Sequence, residues 1–168
     1  MQPNNLCNWY VLYTRFKSER KVAKQLSDAG IETYVPLRTV RKQWSDRMKM
    51  MEEPLFWNYV FVKINLKERF KILATSGVVQ FVSFENQPVE MAEKEIENIR
   101  IIESSATDVH LESIFIAGDK VLVTKGVFNG MEGILVKKSS KDRLVLKLPV
   151  LKQAISIEMP EAYVSKVS

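Results

Sequence analysis

Five cations crowd into ten residues near the front of the chain: Arg15, Lys17, Arg20, Lys21 and Lys24. At this density they suit phosphate oxygens, each contact displacing counterions and adding salt dependence. Tyr13 and Phe16 are interleaved with them, and an aromatic ring offers a base a stacking face. Lys17, Lys21 and Lys24 fall at i, i+4 and i+7, so one helix face can carry all three. An ordinary solvated face has the same spacing.

The second chemical feature is the run Pro54-Leu-Phe-Trp-Asn-Tyr-Val-Phe-Val-Lys-Ile64. It is dense in strand formers and predicts one continuous strand. Alternation puts Leu55, Trp57, Tyr59 and Phe61 on one face and Phe56, Asn58, Val60, Val62 and Ile64 on the other. Both faces are apolar. Such a strand is either covered on both sides or keeps an aromatic face for a partner, where aromatics carry most of the binding energy.

Catalytic constellations are scarce. One histidine and one cysteine do not make a zinc site without several carboxylates at suitable spacing. No H-E-x-x-H, G-x-S-x-G or P-loop pattern occurs. Gly126, Gly130 and Gly133 lie between predicted strands, whereas a phosphate cradle wants a helix N-terminus behind it. His110 falls in a polar stretch and Cys7 near the N-terminus, so neither has the setting of a catalytic group. Nothing points to an enzyme, a metal or a cofactor.

The 168 residues suffice for one ordinary domain or two small ones, and 46% hydrophobic with 27% charged residues is a globular composition. No apolar run reaches the roughly 18 residues of a spanning helix, and Met1–Cys7 reads as a disordered leader without signal-peptide character. A single cysteine fits a reducing cytoplasm. The formal charge of +5 is uneven: +6 over residues 1–50, −3 over 51–104, −2 over 105–117 and +4 over 118–168.

These groups need elements to position them. Trp9–Thr14 predicts a strand, and Glu19–Ala29 a helix with Ser18 as N-cap and Gly30 as C′ residue. Ile31–Val35 predicts a short strand, and Thr39–Trp44 with Met48–Glu52 a charged hairpin. After the aromatic run, Asn65 caps a helix over Leu66–Ala74 with Phe70, Leu73 and Ala74 inward, and Gly77 ends it. Val78–Val82 is a strand and Ala92–Glu103 a third helix with Ile96 and Ile99 on its apolar face. The plan is α+β, a ferredoxin-like antiparallel sheet with helices, over residues 1–104. Residues 105–117 read as a linker. Residues 118–168 hold five short strands (120–125, 133–138, 143–148, 154–159 and 163–167) separated by turns, the pattern of a small closed barrel.

Gly118-Asp119-Lys-Val-Leu-Val-Thr-Lys-Gly126-Val-Phe128-Asn-Gly130-Met-Glu-Gly133 resembles the KOW motif of NusG-type transcription factors, an SH3-like barrel. Trp9-Tyr-Val, Tyr34-Val-Pro36, Leu55–Val62 and Gly77–Val82 resemble the NusG N-terminal domain in order, so the resemblance covers about residues 9–167. It implies a monomeric factor that binds bacterial RNA polymerase on the clamp helices and suppresses pausing or termination. The docking residues would be Phe56, Tyr59 and Phe61. The cations Arg15, Lys17, Lys21 and Lys24 would face non-template DNA at the transcription bubble. The KOW domain would tether a ribosomal protein or Rho, with no membrane partner. The β-branched, alternating residues of the tail (Val121, Val123, Ile134, Val136, Val145, Ile155 and Ile157) predict the barrel and no fold switch to helix.

The resemblance has departures. Trp57 stands where most relatives carry proline. Asn58 and the Glu53-Pro-Leu-Phe56 lead-in are similar to specialised paralogues of the RfaH kind and to antiterminators encoded with capsular polysaccharide clusters. The His-Thr-Thr element of RfaH is replaced by Glu68, Arg69 and Phe70, and Ser76 stands in place of its DNA-facing arginine. The alternatives are an RNA- or ribosome-binding KOW module that does not act on polymerase, and an enzyme with an unrecognised site.

Overall fold

The computed structural model describes residues 6–167; Met1–Asn5 of the expected leader and Ser168 lie outside the described residues. The chain divides into two compact units, Met1–Glu93 and Lys94–Ser168. The architecture is mixed α and β, built on antiparallel sheets with few helices.

In the first unit, β1 (Asn8–Thr14) is followed by α1 (Glu19–Asp28), β2 (Glu32–Tyr34), the β3 (Leu37–Gln43) and β4 (Met48–Pro54) hairpin, and β5 (Tyr59–Ile64). Then come α2 (Arg69–Leu73), β6 (Val78–Phe81), the two-residue strands β7 (Ser83–Phe84) and β8 (Gln87–Pro88), and β9 (Glu90–Met91). The main sheet has the order β2-β5-β1-β6, with β9 also on β1.

Register decides its faces. Tyr10 pairs with Val62 and Leu12 with Val60; these side chains pack with Val22 and Leu26 of α1 and Ile72 of α2 into one buried cluster. Val11 pairs with Phe61 and Tyr13 with Tyr59 on the opposite face. Helix α1 buries Val22 and Leu26 at the expected spacing and closes at Gly30, whose φ is +82°. Ser18 is its N-cap, but its side chain makes no capping bond.

Two local expectations need correction. The aromatic run is not one strand: β4 ends at Pro54, residues 55–58 turn, and β5 begins at Tyr59. Simple alternation breaks there, and the neighbours Leu55 and Phe56 are both buried. In α2 the buried residue is Ile72, while Phe70 is 69% exposed and Leu73 and Ala74 are also exposed. A 3₁₀ turn over Leu66–Glu68 precedes this five-residue helix. Roughly 3.0 residues per turn instead of 3.6 shifts the phase that an unbroken helix would have kept.

Helix α3 (Glu93–Ser105) starts on the last residue of the first unit and buries Ile96, Ile99 and Ile102. The second unit continues with β10 (Val109–Glu112), β11 (Asp119–Val123), β12 (Glu132–Lys138), β13 (Lys141–Leu148), β14 (Gln153–Glu158) and β15 (Val164–Lys166). They form one antiparallel sheet in the order β10-β14-β13-β12-β11-β15. Among the described residues no backbone pairing joins β10 to β15.

Five of these strands lie where alternation put them. The sixth, β10, falls inside residues 105–117, which had the polarity of a linker. The polar residues His110 and Glu112, with Asp108 just before them, hid the strand; they share a face and take their partners from β13, β14 and β12 or from one another. Among the described residues no helix is long and apolar enough to cross a membrane.

Candidate nucleic-acid and protein interface

The corner where β1 ends and α1 begins gathers four segments. Thr14 N–H donates to the Asn58 carbonyl at 2.7 Å and Arg15 N–H to the Gly77 carbonyl at 2.9 Å. Asn58 is left-handed at φ 71°. Its N–H donates to Glu19 Oε1 at 2.6 Å and its side-chain amide donates to the Thr14 carbonyl at 3.1 Å. Asparagine visits this backbone region more readily than most residues, and the buried Glu19 carboxylate gives the bend a charge-assisted partner. Gly77 is required by space as well as by its φ of +97°, since a Cβ there would meet Val22 Cγ2 at 2.9 Å.

The bend at Asn58 throws Trp57 outward. Its indole lies against the Phe16 ring with centroids 5.7 Å apart and planes 33° apart. Phe16 is 66% exposed. The Lys17 ammonium stands 5.3 Å from the Phe16 centroid. Lys17, Glu19, Arg20, Pro54 and Trp57 line a shallow depression of about 150 Å³. Arg20 is tied to the hairpin by donating to the Glu52 carbonyl at 3.2 Å. Trp57 therefore has a structural role that its sequence position alone did not explain.

The cations are distributed unequally. Arg15, Lys17, Lys21 and Lys24 are all exposed. Lys24 is engaged with Asp28 at 2.8 Å, whereas Arg15 and Lys21 make no ion pair among the described residues. Lys17 sits before α1 with φ 57°, so the three lysines do not form one continuous helical row.

Beside this corner, Tyr13 and Tyr59 meet edge to face, 5.7 Å between centroids. Tyr13 is exposed and Tyr59 half-buried. Burial pushes the Tyr59 phenol above its ordinary pKa, and Tyr13 adds to the shift. Phe61 and Phe56 lie differently. Both are buried, 6.2 Å apart, and Phe61 also contacts Tyr34 at 5.9 Å. Of Phe56, Tyr59 and Phe61, only Tyr59 presents part of its ring to solvent. The neighbouring strand supplies its companion, Tyr13.

In the second unit, Gly126 and Gly130 shape the turn between β11 and β12, and Phe128 is half-buried within it. Gly133 is needed for close approach: a Cβ would come within 2.6 Å of the Val145 carbonyl oxygen. At Gly118 a Cβ would meet the Leu135 carbonyl and Ile134 Cγ2. Asp119 pairs with Lys166 at 2.7 Å between β11 and β15. The motif glycines thus serve strand packing and turns. Among the described residues no group of three His, Cys, Asp or Glu side chains is placed to hold a metal ion.

A family model described as "Transcription termination factor nusG" matches residues 7–100. The transcription termination/antitermination protein NusG of Lactococcus lactis subsp. lactis (strain IL1403) is 27% identical over 177 residues, covering 95% of each chain. The protein of the same name from Rickettsia bellii (strain RML369-C) is 25% identical over 170 residues, covering 94% of this chain and 89% of its own. Among solved structures, the one described as "Domain interaction in Thermotoga maritima NusG" is similar with a TM-score of 0.58 at 21% identity, covering 96% of this chain and 98% of that one. At that identity the likeness is one of fold.

Proposed function

The chain belongs to the NusG family, and on that premise we propose that it is a cytoplasmic, non-enzymatic transcription elongation and antitermination factor. The observation that supports this reading is the exposed aromatic and cationic corner: Phe16 against Trp57 with Lys17 and Arg20 around them, and Tyr13 against Tyr59 beside it. Aromatic pairs with one open face suit hot-spot contacts or stacked bases, and the cations add a salt-sensitive attraction to a phosphate backbone.

In this reading Tyr59 contacts the clamp helices of bacterial RNA polymerase, with Phe56 and Phe61 holding it from within the core. Arg15, Lys17, Lys21 and Lys24 face non-template DNA. Residues 118–168, closing as an SH3-like KOW barrel around Gly118, Asp119, Gly126, Phe128, Gly130 and Gly133, tether a second partner such as a ribosomal protein or Rho. The ferredoxin-like plan of the first unit and kinship to specialised paralogues belong to the same proposal.

The test is a paused-transcription assay with purified bacterial RNA polymerase, with and without the full chain. Shortened pauses or increased read-through of terminators are expected. Failure to bind polymerase and to alter elongation overturns the reading. Tight binding to RNA without polymerase would favour the RNA- or ribosome-binding module instead.

A further inference from the structure

The second unit contains a strand held more by charge than by apolar burial. Residues 108–112 run along the edge of β14, pairing Val109 with Ile157, His110 with Ser156, Leu111 with Ile155 and Glu112 with Ala154. Val109 is only half-buried and Leu111 is exposed. The polar face is engaged much more completely. Arg143, 3% exposed, donates from Nη1 to Asp108 Oδ2 at 2.8 Å and from Nη2 to the Asp108 carbonyl at 2.9 Å. Its other bonds go to Ser156, from Nε to Oγ at 2.8 Å and from Nη2 to the carbonyl at 2.9 Å. Ser156 Oγ donates in turn to Glu112 Oε1 at 2.8 Å, and Lys138 Nζ reaches Glu112 Oε2 at 2.7 Å.

This division matters because of what remains if the segment leaves. The β13–β14 ladder keeps its six paired positions and its buried Leu144, Leu146, Ile155 and Ile157. What is lost is the outer hydrogen-bond row of β14 and both anions of the network. An open strand edge recruits another strand, and a buried guanidinium without a carboxylate is costly. The vacated edge therefore demands an extended segment with carboxylates four residues apart on one face, the spacing of Asp108 and Glu112.

We propose that the outer edge of β14 is a strand-docking site for an acidic extended peptide of the pattern Asp-x-x-x-Glu, read by Arg143 and Lys138, and that this chain occupies it with its own residues 108–112. A partner's strand of that pattern replaces the internal one by exchange. The internal strand has the advantage of high effective concentration, so the site is masked until its own carboxylates are released.

The probe is a labelled synthetic peptide, Thr-Asp-Val-His-Leu-Glu-Ser, titrated by fluorescence anisotropy into the full chain and into its Asp108→Ala/Glu112→Ala variant. The variant is expected to bind at least tenfold tighter than the wild type, and a peptide with Asn and Gln for Asp and Glu to bind at least tenfold more weakly. Equal binding of both peptides, equal binding by both proteins, or no binding while β13 amides stay protected from exchange overturns the proposal. Should the variant lose β13 protection, amide exchange on the wild type decides. The β14 amides pointing to β10 are expected to exchange at least tenfold faster than those pointing to β13, and equal rates overturn it.

Discussion

The carboxylate of Glu19 accepts the backbone N–H of Asn58 at 2.6 Å, across thirty-nine residues of sequence. That bond joins the first turn of α1 to the bend that interrupts the aromatic run. The bend points Trp57 at Phe16 and starts β5 at Tyr59. The candidate interface thus depends on a buried polar contact that itself touches no partner.

Glu19→Ala is expected to cost about 2 kcal/mol, because a buried bond to a charged acceptor is lost and the Asn58 N–H is left without it. Glu19→Gln keeps an acceptor and should cost less than half as much. Urea denaturation midpoints check both. An Ala variant as stable as wild type would remove Glu19 as the anchor of the bend.

The hydroxyl of Thr14 is buried with no hydrogen-bond partner among the described residues. Valine has nearly the same shape without the polar atom. Thr14→Val is therefore expected to raise stability by about 1 kcal/mol, since an unsatisfied buried group is removed. The readout is the thermal midpoint, and destabilisation would mean that the hydroxyl has a partner after all.

Phe16 and Trp57 should act as a unit. In binding of single-stranded DNA, each alanine substitution is expected to cost about 1 kcal/mol or more, the lower range for base–aromatic stacking. The double variant should lose less than the sum, because either single change opens the same pair. Lys21→Ala instead should weaken binding modestly and reduce the salt slope by about one. Strictly additive losses at Phe16 and Trp57 would mean that the two rings contribute separately.

Tyr59→Ala is expected to weaken binding to core RNA polymerase by about 2 kcal/mol or more. Phe61→Ala removes a fully buried ring and should unfold or loosen the first unit, since large-to-small core changes cost about 3–5 kcal/mol. Circular dichroism of each variant beside a polymerase pull-down separates the two effects. A folded Tyr59→Ala protein that binds like wild type removes Tyr59 from the docking surface.

Acid should loosen the second unit. The hydrogen bond from Arg143 foremost, against some burial, holds the Asp108 carboxyl below its ordinary pKa. At Glu112 burial works to raise the pKa, but hydrogen bonds from Lys138 and Ser156 outweigh it and the net shift is downward. A depressed folded pKa means stability that is complete above the ordinary carboxylate range and lost as pH falls through the folded values. Asp108 is 43% exposed, so solvent screens its share. Acid unfolding followed by the amide signals of β10 and of the β14 residues that point to it should therefore begin at higher pH than loss of the β13 signals, and Glu112→Gln should flatten the transition.

Sequence by itself determined the elements whose signals are local. A run of strand formers marked β1, short strands between turns marked the segments after Gly118, Ser18 and Gly30 bounded α1, and two charged segments marked the hairpin of β3 and β4. These patterns work because period and turn chemistry are set by near neighbours along the chain. The order of Trp9-Tyr-Val, Tyr34-Val-Pro36, Leu55–Val62 and Gly77–Val82 also pointed to the family, whose model matches residues 7–100.

Only the tertiary structure decided which of those side chains reach the surface. Phe61 and Tyr59 share a face of β5, yet one is buried and the other is not, because burial depends on what lies opposite. Glu19 and Thr14 hold the bend at Asn58 from other segments, and Trp57 packs on Phe16. The polar stretch at 108–112 became a strand because Arg143, Ser156 and Lys138 supplied its partners. In each case the deciding group is distant in sequence, so its contribution to burial, charge or backbone conformation exists only once the chain has folded.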